Sequence, residues 1–481
     1  MRTLEWLMVV LAAPAIVWMV FLRRPWPMWI RLATDLAVVV FLAHTAFEGV
    51  HWQMAPIYLA ILLLIYPLLR QRFPSRIAAP PFVFSIFLVL LVMTGLSLCY
   101  TLPMFRLPKP SGPYAVGTRT LYFVDPSRTE MHPGAPHIQR EVVAQLWYPS
   151  SALTGKRAVY RLWKETDPRS TYQAVLPVDA LQDAPLANGR FPIVLFNHAW
   201  RGFRNRSTFM EQDLASHGFV VIGVGHPWNA AIMQLHDGRV ADGRLQVDLG
   251  NFYGPPALTL EQHEALADSE MRIQTDDDRF LLDELTKLDQ SPNSPWTGHL
   301  DLTHVGAFGH SFGGAVSAEL AREDPRVRSA ILLDGILTGP VAELGLSKPL
   351  FRIMAEPPHF APGGENSPDL GTRVHAQSSL LGEKQLSASF EHYGGYQVMI
   401  RGIDHENFTD KGFFSPFHSL SGIGSIPQQR AATIITAYVN AFFIQTLLNQ
   451  PQTLLSDQTS PFPEVLKFQH WQGVESNASQ H

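Results

Sequence analysis

At 481 residues the chain is too long for one ordinary domain, and its 46% apolar content is crowded into a few stretches rather than spread evenly. A formal net charge of −5, with no Lys/Arg-rich stretch interleaved with aromatics outside short N-terminal loops, excludes nucleic acid as a partner. The single cysteine, Cys99, excludes a disulfide within the chain and a cysteine-based metal site.

Residues 1–105 hold four apolar runs, at 4–22, 29–47, 52–69 and 82–102, each near the roughly 20 residues needed to cross a bilayer. A cleaved signal peptide would account for one such run but not for four in succession, so four transmembrane helices are expected. Arg23, Arg24 and Arg31 lie between the first two runs and Arg70, Arg72 and Arg76 between the last two, whereas 48–51 carries no Lys or Arg. Placing the arginine-rich loops in the cytoplasm puts the N-terminus and everything after residue 105 on the extracytoplasmic side, with Arg2, Arg106 and Lys109 arguing the other way. Asp35, His44, Glu48 and His51 are polar groups in or beside the second and third runs; interfacial solvation accounts for them, and no metal site is assigned.

The Pro-rich stretch 107–113 reads as a stiff connector. Beyond it strands are expected at 142–148, 192–197, 219–224, 302–308, 327–333, 350–355 and 396–401, with helices at 208–216, 276–288 and 427–448. Such alternation argues a mostly parallel sheet covered on both faces. The run 434–448 could pass for a fifth span, but Asn440 and Gln445 favour a helix packed on the sheet. Segments 229–265 and 357–392 are interrupted by Gly and Pro and read as insertions near the site. The expected organisation is therefore a four-helix membrane region at 1–105, a linker at 106–113, a catalytic domain at 114–450 and a loose polar tail at 451–481.

Residues 305–314 run from an apolar strand into Gly309-His310-Ser311-Phe312-Gly313 and a small-residue helix start. This is the layout of a nucleophile elbow, whose tight strained turn lifts one serine hydroxyl clear of the sheet and leaves room for no side chain at the flanking glycines. A serine hydroxyl needs an imidazole to take its proton and a carboxylate to orient that imidazole. Asp334 caps the apolar strand that follows, where α/β sites assemble, and Glu356 at the tip of the next strand is the runner-up acid. His405 lies on the loop after the last expected strand. His198, His226 and His310 read as packing or loop-fixing residues, and Asp404 is too near His405 in sequence to reach its ring. Two backbone N–H groups should meet the oxyanion, that of Phe312 directly after the nucleophile and that of Trp200 in the loop after strand 192–197. Trp200, Trp228, Phe312 and Phe408 are candidates for an apolar acyl pocket.

In these blocks the chain resembles the platelet-activating factor acetylhydrolase family, in its single-chain, serine-dependent, calcium-independent form. The resemblance runs through Leu146-Trp-Tyr-Pro149, Phe196-Asn-His198, Leu214-Ala-Ser-His-Gly-Phe219, Gly309-His-Ser-Phe-Gly-Gly314, Leu333-Asp-Gly335 and Arg401-Gly-Ile-Asp-His-Glu-Asn-Phe408, scattered over 114–443. It implies an α/β-hydrolase fold, the acid at Asp334 rather than Glu356, and metal-free, cofactor-free hydrolysis of short or oxidised acyl chains at the glycerol 2-position of phospholipids. The chain departs from the family at Ala199-Trp200-Arg201, where the family tends to be Gly-rich, and in its four N-terminal runs. The expectation is a membrane-anchored serine ester hydrolase working through Ser311, Asp334 and His405. A general carboxylesterase or polyester hydrolase, and an idle hydrolase-fold sensor or scaffold, are the alternatives. Nothing in the sequence sets the oligomeric state.

Overall fold

The structure is a computed structural model that describes residues 3–21, 26–72, 81–132, 135, 138–168, 170–246, 252, 257–356, 363–456 and 460–474. It divides into two compact units, Met1–Phe105 with Phe414–Pro416, and Arg106–Phe413 with Phe417–His481.

The first unit is built on four helices, α1 (Thr3–Phe21), α2 (Met28–Phe47), α3 (Ala55–Arg72) and α4 (Pro81–Thr101). Met8, Ala12 and Ile16 of α1 share one buried seam with Ile30 and Ala37 of α2, Ile61 and Leu64 of α3 and Leu88 of α4. Small residues set the helix spacing, since a Cβ on Gly95 would stand 2.5 Å from the Ile57 side chain. The outward faces are apolar too, with Val10, Val17, Leu36, Val39, Leu62, Leu90 and Met93 exposed. Helices apolar all round suit a non-aqueous surrounding, and all four are long and apolar enough to cross a membrane. Arg2, Arg23, Arg24 and Arg76, which carried part of the orientation reading, lie outside the described residues.

The second unit holds an eleven-stranded sheet in the order β13-β12-β11-β10-β9-β5-β6-β2-β1-β4-β3. Its members are β1 (Ala115–Thr129), β2 (Gln139–Ser150), β3 (Arg157–Val159), β4 (Pro177–Gln182), β5 (Phe191–Asn197), β6 (Val220–Gly225), β9 (Leu300–His310), β10 (Val327–Leu333), β11 (Leu350–Glu356), β12 (Gly395–Arg401) and β13 (Val465–Trp471). β7 (Met233–Gln234) and β8 (Val240–Ala241) form a separate two-stranded ribbon. Strands β6, β5, β9, β10, β11 and β12 run parallel, flanked by antiparallel β2 and β13. The parallel strands are continuous apolar runs because both faces are covered. Helices α5 (Thr208–Ser216), α6 (Leu260–Gln290), α7 (Phe312–Glu323), α8 (Leu370–Tyr393) and α9 (Gln428–Leu448) supply the cover. α9 is itself long and apolar enough to span a bilayer, but it is largely buried in this unit, with Phe443 packed on Phe308 of β9.

Three expectations change and one gains detail. Residues 465–471 of the expected loose tail are ordered: β13 pairs antiparallel with β12, and Trp471 stacks on Phe390 at 4.8 Å. The connector at 107–113 is tied down on α5, the Ser111 N–H donating to Asp213 at 2.7 Å and the Gly112 N–H to Ser216 at 2.9 Å. α6 begins at a capping box on Thr259, well before 276; its buried face carries polar His263, Glu270 and Gln274, which hides the periodicity. The described part of 357–392 is mainly α8, where Gly382 is a packing residue whose Cβ would lie 2.5 Å from the Leu337 carbonyl. β1 and β4 were not anticipated at all.

A buried ion network clamps α6 to the sheet. Arg140 of β2 donates to Glu130 at 2.6 Å, to both carboxylate oxygens of Asp277 on α6 at 3.0 and 2.6 Å, and to the Pro227 carbonyl at 3.0 Å. The His132 ring bridges Glu130 at 2.7 Å and Glu270 at 3.2 Å. Burial alone would lower the His132 pKa, but the two carboxylates outweigh it and push the ring up to about 9. Burial raises Glu130, and Arg140 and His132 overcome that and hold it down to about 2. The His132 contribution is complete below the unfolded imidazole value of about 6.5 and is lost as pH rises through about 9; that of Glu130 is complete above about 4.3 and lost as pH falls through about 2. Thermal unfolding of the full chain should therefore show a falling midpoint on the alkaline side between these values, and His132→Asn should flatten that limb.

Candidate active site

β9 ends at His310, and the chain turns into α7 through Ser311, whose φ of 55° and ψ of −122° are strained for a residue with a Cβ. The turn is held by the Ser311 N–H donating to the Leu333 carbonyl at 2.9 Å and the Gly314 N–H donating to the Ser311 carbonyl at 3.0 Å. It closes only with glycine on either side. A Cβ on Gly309 would stand 2.1 Å from the Gly313 carbonyl oxygen, and one on Gly313 would stand 2.2 Å from that of Asn197. The second contact brings the end of β5, and the loop that follows it, against the first turn of α7.

Asp334 sits at the end of β10 with a φ of 49°. Its N–H donates to the Ile353 carbonyl at 2.8 Å, its Oδ1 accepts from the Ala355 N–H at 2.9 Å, and its Oδ2 lies 2.7 Å from His405 Nδ1. Burial would raise this carboxyl, but the hydrogen bond and charge of His405 dominate and hold it down to about 2. The orientation of the imidazole is thus set by an ionised partner that is itself fixed to β11. Glu356 ends β11 opposite Arg401 and is not among the cavity-lining residues.

The backbone of the 405 loop is fixed independently. Asp404 caps it by accepting from the His405 N–H at 2.7 Å, and the Asn407 side chain accepts from the Asp404 N–H at 2.7 Å. His310 packs its ring 4.3 Å from that of His405 and meets the His405 carbonyl through Nε2 at 3.0 Å. Burial, reinforced by the neighbouring His405, lowers His310 to about 3, so the ring is neutral and Nε2 carries the donated proton. Glu406 is gripped by Arg206 through both oxygens at 2.8 Å. Burial opposes ionisation of Glu406, yet Arg206 and other nearby cations keep its pKa well below the usual carboxylate range.

Ser311, Phe312, Asp334, His405 and Trp200 all line one cavity of about 590 Å³. Its apolar wall is an aromatic cluster in which Trp200 stacks on Phe252 at 3.9 Å and meets Phe312 edge-on at 4.9 Å. Of the expected acyl-pocket residues, Trp200 and Phe312 line the cavity, whereas Trp228 and Phe408 do not; Phe408 is fully buried beneath His310. His198 and His226 lie behind the wall, His198 bonded to the Ala199 carbonyl at 2.8 Å and His226 to Asp277 at 3.0 Å. The sequence reading missed Phe252, His263 and Ala267 on the wall, and the roles of His310 and the Arg206–Glu406 pair. Glu406 adjoins His405 in sequence and was the available signal; Arg206 is 200 residues away and carried none.

A mostly parallel sheet with a serine at a strained strand-to-helix turn and an imidazole–carboxylate pair at the next strand ends defines an α/β-hydrolase-type domain. Comparison with known proteins agrees. Residues 101–244 match the family model of platelet-activating factor acetylhydrolase, isoform II. The chain is 24% identical over 412 residues to a probable 1-alkyl-2-acetylglycerophosphocholine esterase of Arthroderma benhamiae, covering 75% of this chain and 93% of that one. It is 24% identical over 330 residues to the platelet-activating factor acetylhydrolase of Bos taurus, covering 64% and 69%. Among solved structures, a ferulic acid esterase from Streptomyces cinnamoneus superposes with a TM-score of 0.58 at 27% identity, covering 76% of this chain and all of that one.

The close approach at Gly313 is testable by itself. Gly313→Ala should destabilise the chain by about 1–3 kcal/mol through overpacking against the Asn197 carbonyl. Gly155→Ala, whose Cβ would meet its nearest neighbour at 3.8 Å, should leave the thermal midpoint unchanged.

Proposed function

We propose that this protein is a membrane-anchored serine ester hydrolase that removes short or oxidised acyl chains from phospholipids. The observation that carries the reading is the His405–Asp334 contact at 2.7 Å on the wall of the cavity that also holds Ser311. The similarity to proteins named as a probable 1-alkyl-2-acetylglycerophosphocholine esterase and a platelet-activating factor acetylhydrolase supports the substrate class.

In this reading Ser311 Oγ attacks the ester carbonyl carbon while His405 takes its proton, and the backbone N–H groups of Phe312 and Trp200 meet the oxyanion. Collapse of the tetrahedral species expels the leaving alkoxide, which receives the proton from His405 and departs as the alcohol. Water then attacks the acyl–Ser311 ester with His405 as base, and the carboxylic acid leaves. Asp334 remains a carboxylate throughout and stabilises the imidazolium. The aromatic wall of Trp200, Phe252 and Phe312 would receive the acyl chain. Arg201, on the same cavity wall, makes no salt bridge among the described residues, whereas Arg206 and Arg352 are engaged by Glu406 and Glu383; a phosphate on the leaving group would find its cation there. The four apolar N-terminal helices would hold the enzyme on the bilayer that contains its substrate, with the catalytic unit on the extracytoplasmic side.

The experiment is turnover of a 2-acetyl phospholipid and of a short-chain aryl ester by the full chain in detergent. Ser311→Ala should abolish both activities, and Asp334→Asn should cost about 10⁴-fold, while Glu356→Gln keeps most of the activity. Loss in Glu356→Gln with retention in Asp334→Asn would overturn the acid assignment. Turnover of the aryl ester alone would make the protein a general carboxylesterase, the reading favoured by the ferulic acid esterase superposition. Turnover of neither would leave an idle scaffold. Arg201→Ala should raise KM for the phospholipid roughly tenfold and leave that for the aryl ester unchanged.

A further inference from the structure

Far from the serine in sequence, the four-helix unit buries a second cluster of reactive side chains. Glu5 of α1, His44 of α2 and His51 in the α2–α3 connection are 3%, 0% and 6% exposed. They come from three separate segments, yet one ligating atom from each lies within 4.8 Å of the others. His51 Nδ1 stands 2.9 Å from Glu5 Oε1, and the two imidazoles meet edge-on with centroids 5.2 Å apart. Ionisable groups inside an apolar helical unit are costly to bury and call for a reason.

The hydrogen bonds around His44 set its tautomer. The His51 N–H donates to the Tyr58 hydroxyl at 3.2 Å, and that hydroxyl lies 2.7 Å from His44 Nε2, to which it can give its own proton. His44 Nδ1 then carries the ring proton and donates it to Glu48 at 3.1 Å. A neutral imidazole whose Nδ1 proton is held by a carboxylate, leaving Nε2 as the acceptor, here of the Tyr58 hydroxyl, is the tautomer that a metal-ligating histidine needs. Beside the cluster is a hollow of about 10 Å³ lined by the polar side chains of Glu5, His51 and Gln53 together with Cys99 and apolar residues such as Met54 and Leu102. The side-chain oxygen of Gln53 is buried there with no hydrogen-bond partner among the described residues.

We infer that Glu5, His44 and His51 form a metal site for a divalent ion of the zinc class, with the hollow beside Gln53 as its fourth position. Two imidazoles and one carboxylate are a borderline donor set that suits Zn²⁺, and three protein ligands with one open position is a tetrahedral site awaiting water or the Gln53 carbonyl. The ion would replace the proton shared by Glu5 and His51, neutralise the buried carboxylate, and take His44 Nε2 in exchange for its bond to Tyr58. It would join α1, α2 and the α2–α3 connection at one end of the bundle. Neither the site nor its test depends on the ester chemistry at Ser311.

The test uses the full chain in detergent, stripped with a chelator and equilibrated against buffered micromolar zinc, with bound metal measured by mass spectrometry. Wild type and Ser311→Ala should each hold about one zinc per chain, and cobalt in its place should give the visible absorption of a tetrahedral ion. His51→Gln and His44→Gln should remove both signals, and Glu48→Gln, which keeps all three ligands, should weaken zinc binding by about 10–100-fold. Wild type holding no more zinc than His51→Gln, or a cobalt spectrum without tetrahedral bands, would overturn the site and leave a proton-sharing network. The wild-type spectrum decides the matter even where a variant fails to fold.

Discussion

The catalytic unit is organised around one close approach, that of the first turn of α7 to the carbonyl end of β5. The 2.2 Å that a Cβ on Gly313 would leave to the Asn197 oxygen means that only hydrogen allows the helix to seat there. Seated, it forces Ser311 into its left-handed conformation, aims the N-terminus of α7 into the cavity, and brings the Trp200 loop alongside. That loop carries its own strain: Arg201 has a φ of 53°, in a stretch where glycine would adopt it without penalty. Strained non-glycine residues therefore stand at three corners of the cavity, Ser311, Asp334 and Arg201, each over-determined by the strands behind it.

Buried electrostatics hold the walls in place. Arg140 and its carboxylates pin α6, which carries His263 and Ala267 on the cavity wall, to β1 and β2. Arg206 and Glu406 tie the loop before α5 to the 405 loop, and Asp410 accepts from the N–H groups of Thr208 and Phe209 at the start of α5. Pairs of this kind add little net stability against apolar packing, but breaking one leaves a buried charge uncompensated, so they define a single arrangement. The proposed metal cluster in the helical unit follows the same logic, with buried charge tolerated only where several segments converge on it.

Much of this architecture was legible before folding. The parallel strands are unbroken apolar runs in a regular order, and the Gly-x-Ser-x-Gly turn is a local signature because its steric demand falls on its own neighbours. Asp334 was legible for a different reason, as a carboxylate at the tip of a strand with no other polar residue among its last four. What escaped was encoded across distance. The first half of α6 hid because its inward face is polar, with Glu270 pairing to His132 in the β1–β2 connection. β13 hid because an edge strand needs only one partner, and that partner, β12, lies some 70 residues earlier. Trp228 and Phe408 look like pocket aromatics by position, but packing turned them elsewhere.

Local pattern in the sequence was enough for the α/β-hydrolase class of the second unit and for the four apolar helices, and it nominated Ser311, Asp334 and His405, in that chain order, as the residues to look for. These are properties of local pattern, helical or strand periodicity and a turn whose glycines are adjacent to it. It took the packing of distant segments to bring His405 Nδ1 to Asp334 rather than Glu356, His310 to the His405 backbone, and Glu5 to His44 and His51. Each of those is a contact between segments separated by 39 to 95 residues, and side chains that far apart are brought together by packing, which no local spacing records.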